Sequence, residues 1–199
     1  MPEFYFVPKR LARKAPALVR MAQSVEAAVF RFIFWVIRKL SLEHAMALSG
    51  FVFSLGGRFS DKASKADANL SVAFPDSTPE WRKKTIRQIF KHLGYSAVEL
   101  IKLEQIWEER EQRIDMVLEP KAREHMESGR ATLFITAHVG PWQVGPMVTK
   151  HYGFTINTIY APESNPVLQE LMLGLRDTLG ENLIATDAGP RPLIKALHS

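Results

Sequence analysis

Apolar positions fall into distinct regimes along the chain. Residues 27–40 form the most apolar run, with Phe30, Phe32, Phe34 and Trp35 crowded together, and a second run over 45–55 ends at Gly56-Gly57. From residue 61 the spacing turns helical. A helix over 61–75 ends at Phe74-Pro75, and Thr78-Pro79-Glu80 gives the next one an N-cap, a first-position proline and a first-turn acid. That helix repeats Ile86, Ile89, Phe90, Leu93, Ala97, Leu100 and Ile101 at a 3.6-residue period. Residues 104–115 are highly charged and predict a solvated helix or loop, and a short helix over 120–128 is stopped by Gly129. Beyond it, short β-branched runs alternate with helical stretches. Strands are expected at 131–136, 155–160 and 182–185, and helices at 141–150, from Asn165-Pro166 to near Gly180, and at 190–198. The alternation predicts an α/β fold: a helical N-terminal segment, then a partly complete, mostly parallel sheet with flanking helices. Three strands make a narrow sheet, so the layered part is expected to be incomplete at its C-terminal end.

Composition narrows the class. With 199 residues, 46% hydrophobic and 24% charged, the chain fits one domain with a helical appendage and is not a disordered polymer. The absence of cysteine excludes a disulfide scaffold, a thiol nucleophile and a cysteine-ligated zinc. The net charge of +5 is unevenly placed: residues 1–60 hold nine Lys and Arg against three Asp and Glu, and the remainder is close to neutral. A nucleic-acid partner is therefore disfavoured, because the excess sits on the apolar arm.

The run over 27–40 is shorter than the ~20 residues of a spanning helix, and Arg31 interrupts it. Lys9, Arg10, Arg13, Lys14 and Arg20 precede it, and Arg38 and Lys39 close it. One reading is a membrane-surface anchor on the cytoplasmic side, with Arg31 snorkelling. The other is a buried amphipathic helix flanked by solvated charges. The aromatic crowding favours the anchor. The run starts late and lacks a small-residue cleavage pattern, which argues against a signal peptide. The expected organisation is a membrane-associated segment over 1–60 and an α/β domain over 61–199.

Candidate chemistry concentrates in Thr136-Ala137-His138-Val139-Gly140-Pro141-Trp142-Gln143. His138 follows an expected strand, Gly140 permits a tight turn and Pro141 is expected to open a helix. Ligands of open α/β sheets bind beyond the carboxyl ends of strands, and an imidazole there can take a proton from a hydroxyl at neutral pH. Gln143 is placed to hold one ring nitrogen. A structural histidine is the alternative. His44, His92, His125, His151 and His198 have no metal-ligand spacing, and no phosphate loop, nucleophile-elbow serine or dinucleotide fingerprint is present. Arg176 and Arg191 are candidate anion binders, with solvated surface charge as the alternative reading.

Several stretches, in order, resemble the lauroyl/myristoyl acyltransferases of lipid A assembly, within the wider lysophospholipid acyltransferase family. They are Asn69-Leu70-Ser71-Val72-Ala73-Phe74-Pro75, Phe90-Lys91-His92-Leu93-Gly94 with Glu99 after it, and residues 129–143. Ile159-Tyr160-Ala161-Pro162 with Asn165-Pro166, and residues 189–197, complete the set. The resemblance implies acyl transfer at a membrane. His138 would be the general base, deprotonating a hydroxyl on a Kdo-bearing lipid A precursor. That oxygen would attack an acyl thioester on acyl carrier protein, with no metal or redox cofactor. The expected place is the cytoplasmic face of the bacterial inner membrane. Gln143 stands where the family has the acidic residue that orients the histidine, and Ala161 stands where it has an arginine. A truncated or degenerate, catalytically weak membrane-associated homologue is the alternative expectation.

Overall fold

A computed structural model describes residues 16–128, 130, 132–137, 139–163, 165–177 and 182–196. Gly129, Ala131, His138, Gly180, His198 and the basic residues at 9–14 lie outside the described residues. The elements in chain order are α1 (Pro16–Lys39), α2 (Leu42–Gly56), a 3-10 turn (Gly57–Phe59), α3 (Asp61–Ala73), α4 (Pro79–Ile101), α5 (Leu103–Glu108) and α6 (Arg110–Arg113). There follow α7 (Pro120–Glu127), α8 (Val144–His151), β1 (Asn157–Tyr160), α9 (Pro166–Asp177), β2 (Asn182–Ala185), a 3-10 turn (Thr186–Ala188) and α10 (Pro190–Ala196). The chain forms two compact units.

One unit comprises Val36–Lys102 with His138–Pro141. Its centre is the packing of α2 on α4. The α2 face turned inward is small: Ala45, Ser49, Gly50 and Ser54 are buried, and the Ser49 hydroxyl donates to the Gly94 carbonyl at 2.8 Å. A Cβ at Gly94 would lie 2.7 Å from the Ser49 carbonyl oxygen, so the two backbones approach as closely as glycine permits. Leu42 is buried at the start of α2, whereas Leu48, Phe51, Val52 and Leu55 are exposed, with Phe51 at 61%. On α4 the side chains of Ile86, Phe90, Val98 and Ile101 are buried. The helix opens as its sequence dictates: Pro79 takes the first turn and the Thr78 side chain accepts from the Trp81 N–H at 3.2 Å. Arg82 ties the hairpin between α3 and α4, donating from Nε to Asp67 Oδ1 at 2.8 Å and from Nη1 to the Ser77 carbonyl at 2.9 Å.

The other unit comprises Met1–Trp35, Leu103–Ala137 and Trp142–Ser199. Its described sheet is β1 beside β2, parallel, with Asn157 opposite Asn182 and Tyr160 opposite Ala185. The expected α/β layering is thus confined to a two-stranded sheet in a mostly helical chain. The strand expected at 131–136 is absent over 132–136, where Leu133 is 82% and Ile135 87% exposed. An apolar β-branched run becomes a strand only when a neighbour completes its ladder, and here β1 and β2 complete each other. The helix expected from Pro141 begins at Val144 instead, after a turn at 142–145 in which the Gly145 N–H donates to the Trp142 carbonyl at 3.2 Å. The charged stretch 104–115 lies in α5 and α6, and α5 buries Leu103 and Ile106 beside its charges. The N-terminus of α9 is held by Asn165, which is 4% exposed. Its Oδ1 accepts from the Val167 and Leu168 N–H groups at 3.0 and 3.4 Å, while Nδ2 donates to the Gln23 carbonyl and Glu26 Oε2 of α1 at 3.0 and 2.8 Å. Among the described residues no helix is long and apolar enough to cross a membrane.

Candidate active site

The turn that carries the candidate base is described at Val139, Gly140 and Pro141; His138 itself lies outside the described residues. Gly140 has φ +58°, the left-handed region that glycine enters at no steric cost. Its carbonyl accepts from the Ser96 hydroxyl at 3.4 Å, at the long end for such a bond. Ser96 is buried on α4. One turn further along the same helix stands Glu99, half-buried, whose Oε2 is buried with no hydrogen-bond partner among the described residues. Burial pushes the Glu99 carboxyl above the usual carboxylate range, while a hydrogen bond from Ser96 and the charge of His92 pull the other way. His92 is exposed and packs edge-on against Tyr95, with ring centroids 5.4 Å apart.

In the other unit, Gln143 sits at the N-cap position of α8 but caps no N–H with its side chain. Its Oε1 is buried and without a partner among the described residues, an acceptor held out of water and unused. Arg176, on the last turn of α9, lies over the Tyr160 ring with its guanidinium carbon 5.7 Å from the centroid. The Tyr160 hydroxyl accepts from Gln169 Nε2 at 3.4 Å, and Gln169 Oε1 accepts from the Glu163 N–H at 2.6 Å, so the connection after β1 is stitched to α9. Arg191 is exposed on the first turn of α10. No hydrogen bond or ion pair among the described residues joins Gln143, Arg176 and Arg191. Nor do three His, Asp or Glu side chains gather there as a metal set. A groove of about 550 Å³ against α7, lined by Leu118, Pro120, Arg123 and Glu124, contains none of the candidate residues.

A family model of the bacterial lipid A biosynthesis acyltransferases matches residues 14–199. The chain belongs to this family. No curated protein and no solved structure matches it. The lipid A acyltransferase family carries out acyl transfer, so its chemistry calls for an acyl donor and a lipid acceptor. The lipid A acyltransferase match takes in the 136–143 stretch, Tyr160, Asn165, Arg176 and Arg191 together. Sequence reasoning gave Glu99 no role of its own. The signal was available: a carboxylate one residue before Leu100 and Ile101 of an apolar helical repeat, three residues after a serine.

Proposed function

We propose that this chain transfers a fatty acyl group from a thioester on acyl carrier protein to a hydroxyl of a lipid A precursor, at the cytoplasmic face of the bacterial inner membrane. The observation that carries the reading is the family match over residues 14–199. His138 acts as general base. It takes the acceptor's hydroxyl proton as that oxygen attacks the thioester carbonyl. The tetrahedral adduct collapses with cleavage of the C–S bond, the proton passes to the departing sulfur, and an ester and a free thiol result. Gln143, where the family has an acidic residue, carries an amide and so brings no charge to the reaction. Arg176 and Arg191 supply positive charge for the acceptor's anionic groups.

The membrane part of the reading is supported by α1. Met21, Val25, Val29, Phe32 and Trp35 are exposed, with Phe32 at 63% and Trp35 at 58%, and Arg20, Arg31, Arg38 and Lys39 are exposed on the same helix. An exposed apolar face bordered by cations suits an anionic lipid interface. The outward-facing large residues of α2 suit the same medium.

The test is an assay on purified membranes given acyl-loaded acyl carrier protein and a radiolabelled Kdo-bearing lipid A precursor. A new acylated lipid is expected, falling by about 100-fold or more for His138→Ala. Undiminished turnover in His138→Ala removes the proposed base. The neutral Gln143 favours a second reading, a catalytically weak homologue. No product from the native chain, with product from Gln143→Glu, assigns it.

A further inference from the structure

Helices α2 and α4 meet through the small side of one and the large side of the other. On α4 the buried residues include Ile86, Phe90 and Val98, as water demands of an amphipathic helix. On α2 the order is reversed. Apart from Leu42 at its start, it buries Ala45, Ser49, Gly50 and Ser54, and it shows Leu48, Phe51, Val52 and Leu55. The inward fit fixes this direction. A Cβ at Gly50 would lie 2.5 Å from the Tyr95 ring, and one at Gly57 would run into the Phe90 ring. These positions have no room for a large side chain, so the large ones stand on the other side. Their three- and four-residue steps align them in one stripe along the helix, and Phe59 of the following 3-10 turn is 77% exposed.

Small residues between helices and large ones outside is the packing that suits lipid. The surrounding tails are as apolar as leucine there, and close backbone approach holds the helices together. Charge points to the same partner. Residues 36–102 hold eleven Lys and Arg against six Asp and Glu. Exposed cations stand at both ends of α2: Arg38 and Lys39 before it and Arg58 after it, with the Arg58 guanidinium carbon 4.5 Å from the centroid of the Phe59 ring. A second copy of the chain would bring the same positive charge to the stripe, whereas an anionic lipid surface brings the opposite one. The helix has 15 residues. That is about 22 Å of length, short of the ~30 Å of a hydrocarbon core, so it suits a place along the surface and not across it.

We propose that α2 lies in the plane of an anionic bilayer, with Leu48, Phe51, Val52 and Leu55 in the acyl layer and α4 on the water side. The inference rests on the membrane part of the proposed function and adds to it a lipid contact in a second helix. The apolar stripe enters about 5–10 Å, and Arg58 keeps its charge at the headgroups while its stem and Phe59 reach inward.

The chain has no cysteine, so single-cysteine variants carry one nitroxide each. The test places the label in the full chain at Leu48→Cys, Val52→Cys and Leu55→Cys. Gln88→Cys is the reference, because Gln88 is exposed and, two residues before Phe90, lies on the opposite side of α4. Each variant is bound to vesicles of phosphatidylethanolamine and phosphatidylglycerol, and collisions with a polar nickel chelate and with oxygen are measured by electron paramagnetic resonance. Nickel access is expected to be about tenfold lower at 48, 52 and 55 than at 88, with oxygen access in the reverse order. Equal nickel access at all four positions of a vesicle-bound chain overturns the proposal and leaves α1 as the anchor. A chain that stays in the supernatant overturns both the proposal and the membrane part of the proposed function. Spin–spin broadening at position 52 that persists as lipid is added in excess assigns the stripe to a second copy and overturns the proposal. Each position is read separately, so a variant that loses the native circular dichroism spectrum leaves the decision to the other two. No reading needs turnover: a lipid-buried stripe on a chain that acylates nothing keeps this proposal and rejects acyl transfer.

Discussion

The buried Asn165 side chain joins two helices. Its two ends do different work: Oδ1 caps α9, and Nδ2 grips the Gln23 carbonyl and Glu26 on α1. Loss of a cap costs roughly 1 kcal/mol, and leaving a buried partner unpaired adds a similar amount. Asn165→Ala is therefore expected to lower unfolding stability by about 1–3 kcal/mol, read from the urea midpoint by far-ultraviolet circular dichroism. Asn165→Asp keeps the cap but sets a second carboxylate against Glu26, so it is expected to recover only part of the loss. The cap was legible in advance, since Asn-Pro ahead of an apolar helical period leaves few other conformations. The grip on α1 was not. Nothing local in the sequence says that residue 165 meets residues 23 and 26. Glu99 was opaque for a similar reason: a carboxylate in a string of letters carries no burial, and only the packed helix shows an oxygen with no donor among the described residues.

At the level of elements, local rules worked best where a helix carries its own start signal. The α4 boundaries follow from Thr78, Pro79 and a long apolar period, and the structure places them at Pro79–Ile101. They failed at 132–136, because a strand is a property of two chain segments and the sequence displays only one. The helix after Pro141 began late for a similar reason: Gly140 and the turn behind it spend three residues before the first helical hydrogen bond. The contact of α2 with α4 makes a sharp prediction. Gly94→Ala inserts a methyl against the Ser49 backbone and should cost about 1–3 kcal/mol. Gly56, where a Cβ meets nothing within 4 Å, is the matched control: Gly56→Ala should leave the unfolding free energy within about 0.5 kcal/mol or raise it. Equal losses at both positions would mean that glycine matters here for the unfolded chain and not for the approach of the two helices.

For the whole molecule, the N-terminal region carries a large share of its exposed apolar surface and the net positive charge. Sedimentation with vesicles of phosphatidylethanolamine and phosphatidylglycerol should capture the chain at low salt. Capture should weaken severalfold between about 0.05 and 0.5 M salt as charge is screened. Phe32→Ser with Trp35→Ser should weaken it at every salt concentration. Binding indifferent to both would assign the α1 face to another partner. The charge asymmetry and the apolar runs were visible in the sequence; which residues of α1 and α2 turn outward was not, because exposure depends on what each helix packs against.

The grip of Asn165 on α1 spans 142 residues of chain. A ribosome adding about 5–20 residues per second leaves α1 without this companion for roughly 7–30 s. Throughout that interval its phenylalanines and tryptophan face whatever lies near the exit tunnel. On the proposed reading of α1 as a membrane-surface element, a bilayer close by would meet them before α9 exists, so the order of synthesis would favour attachment ahead of completion of the fold.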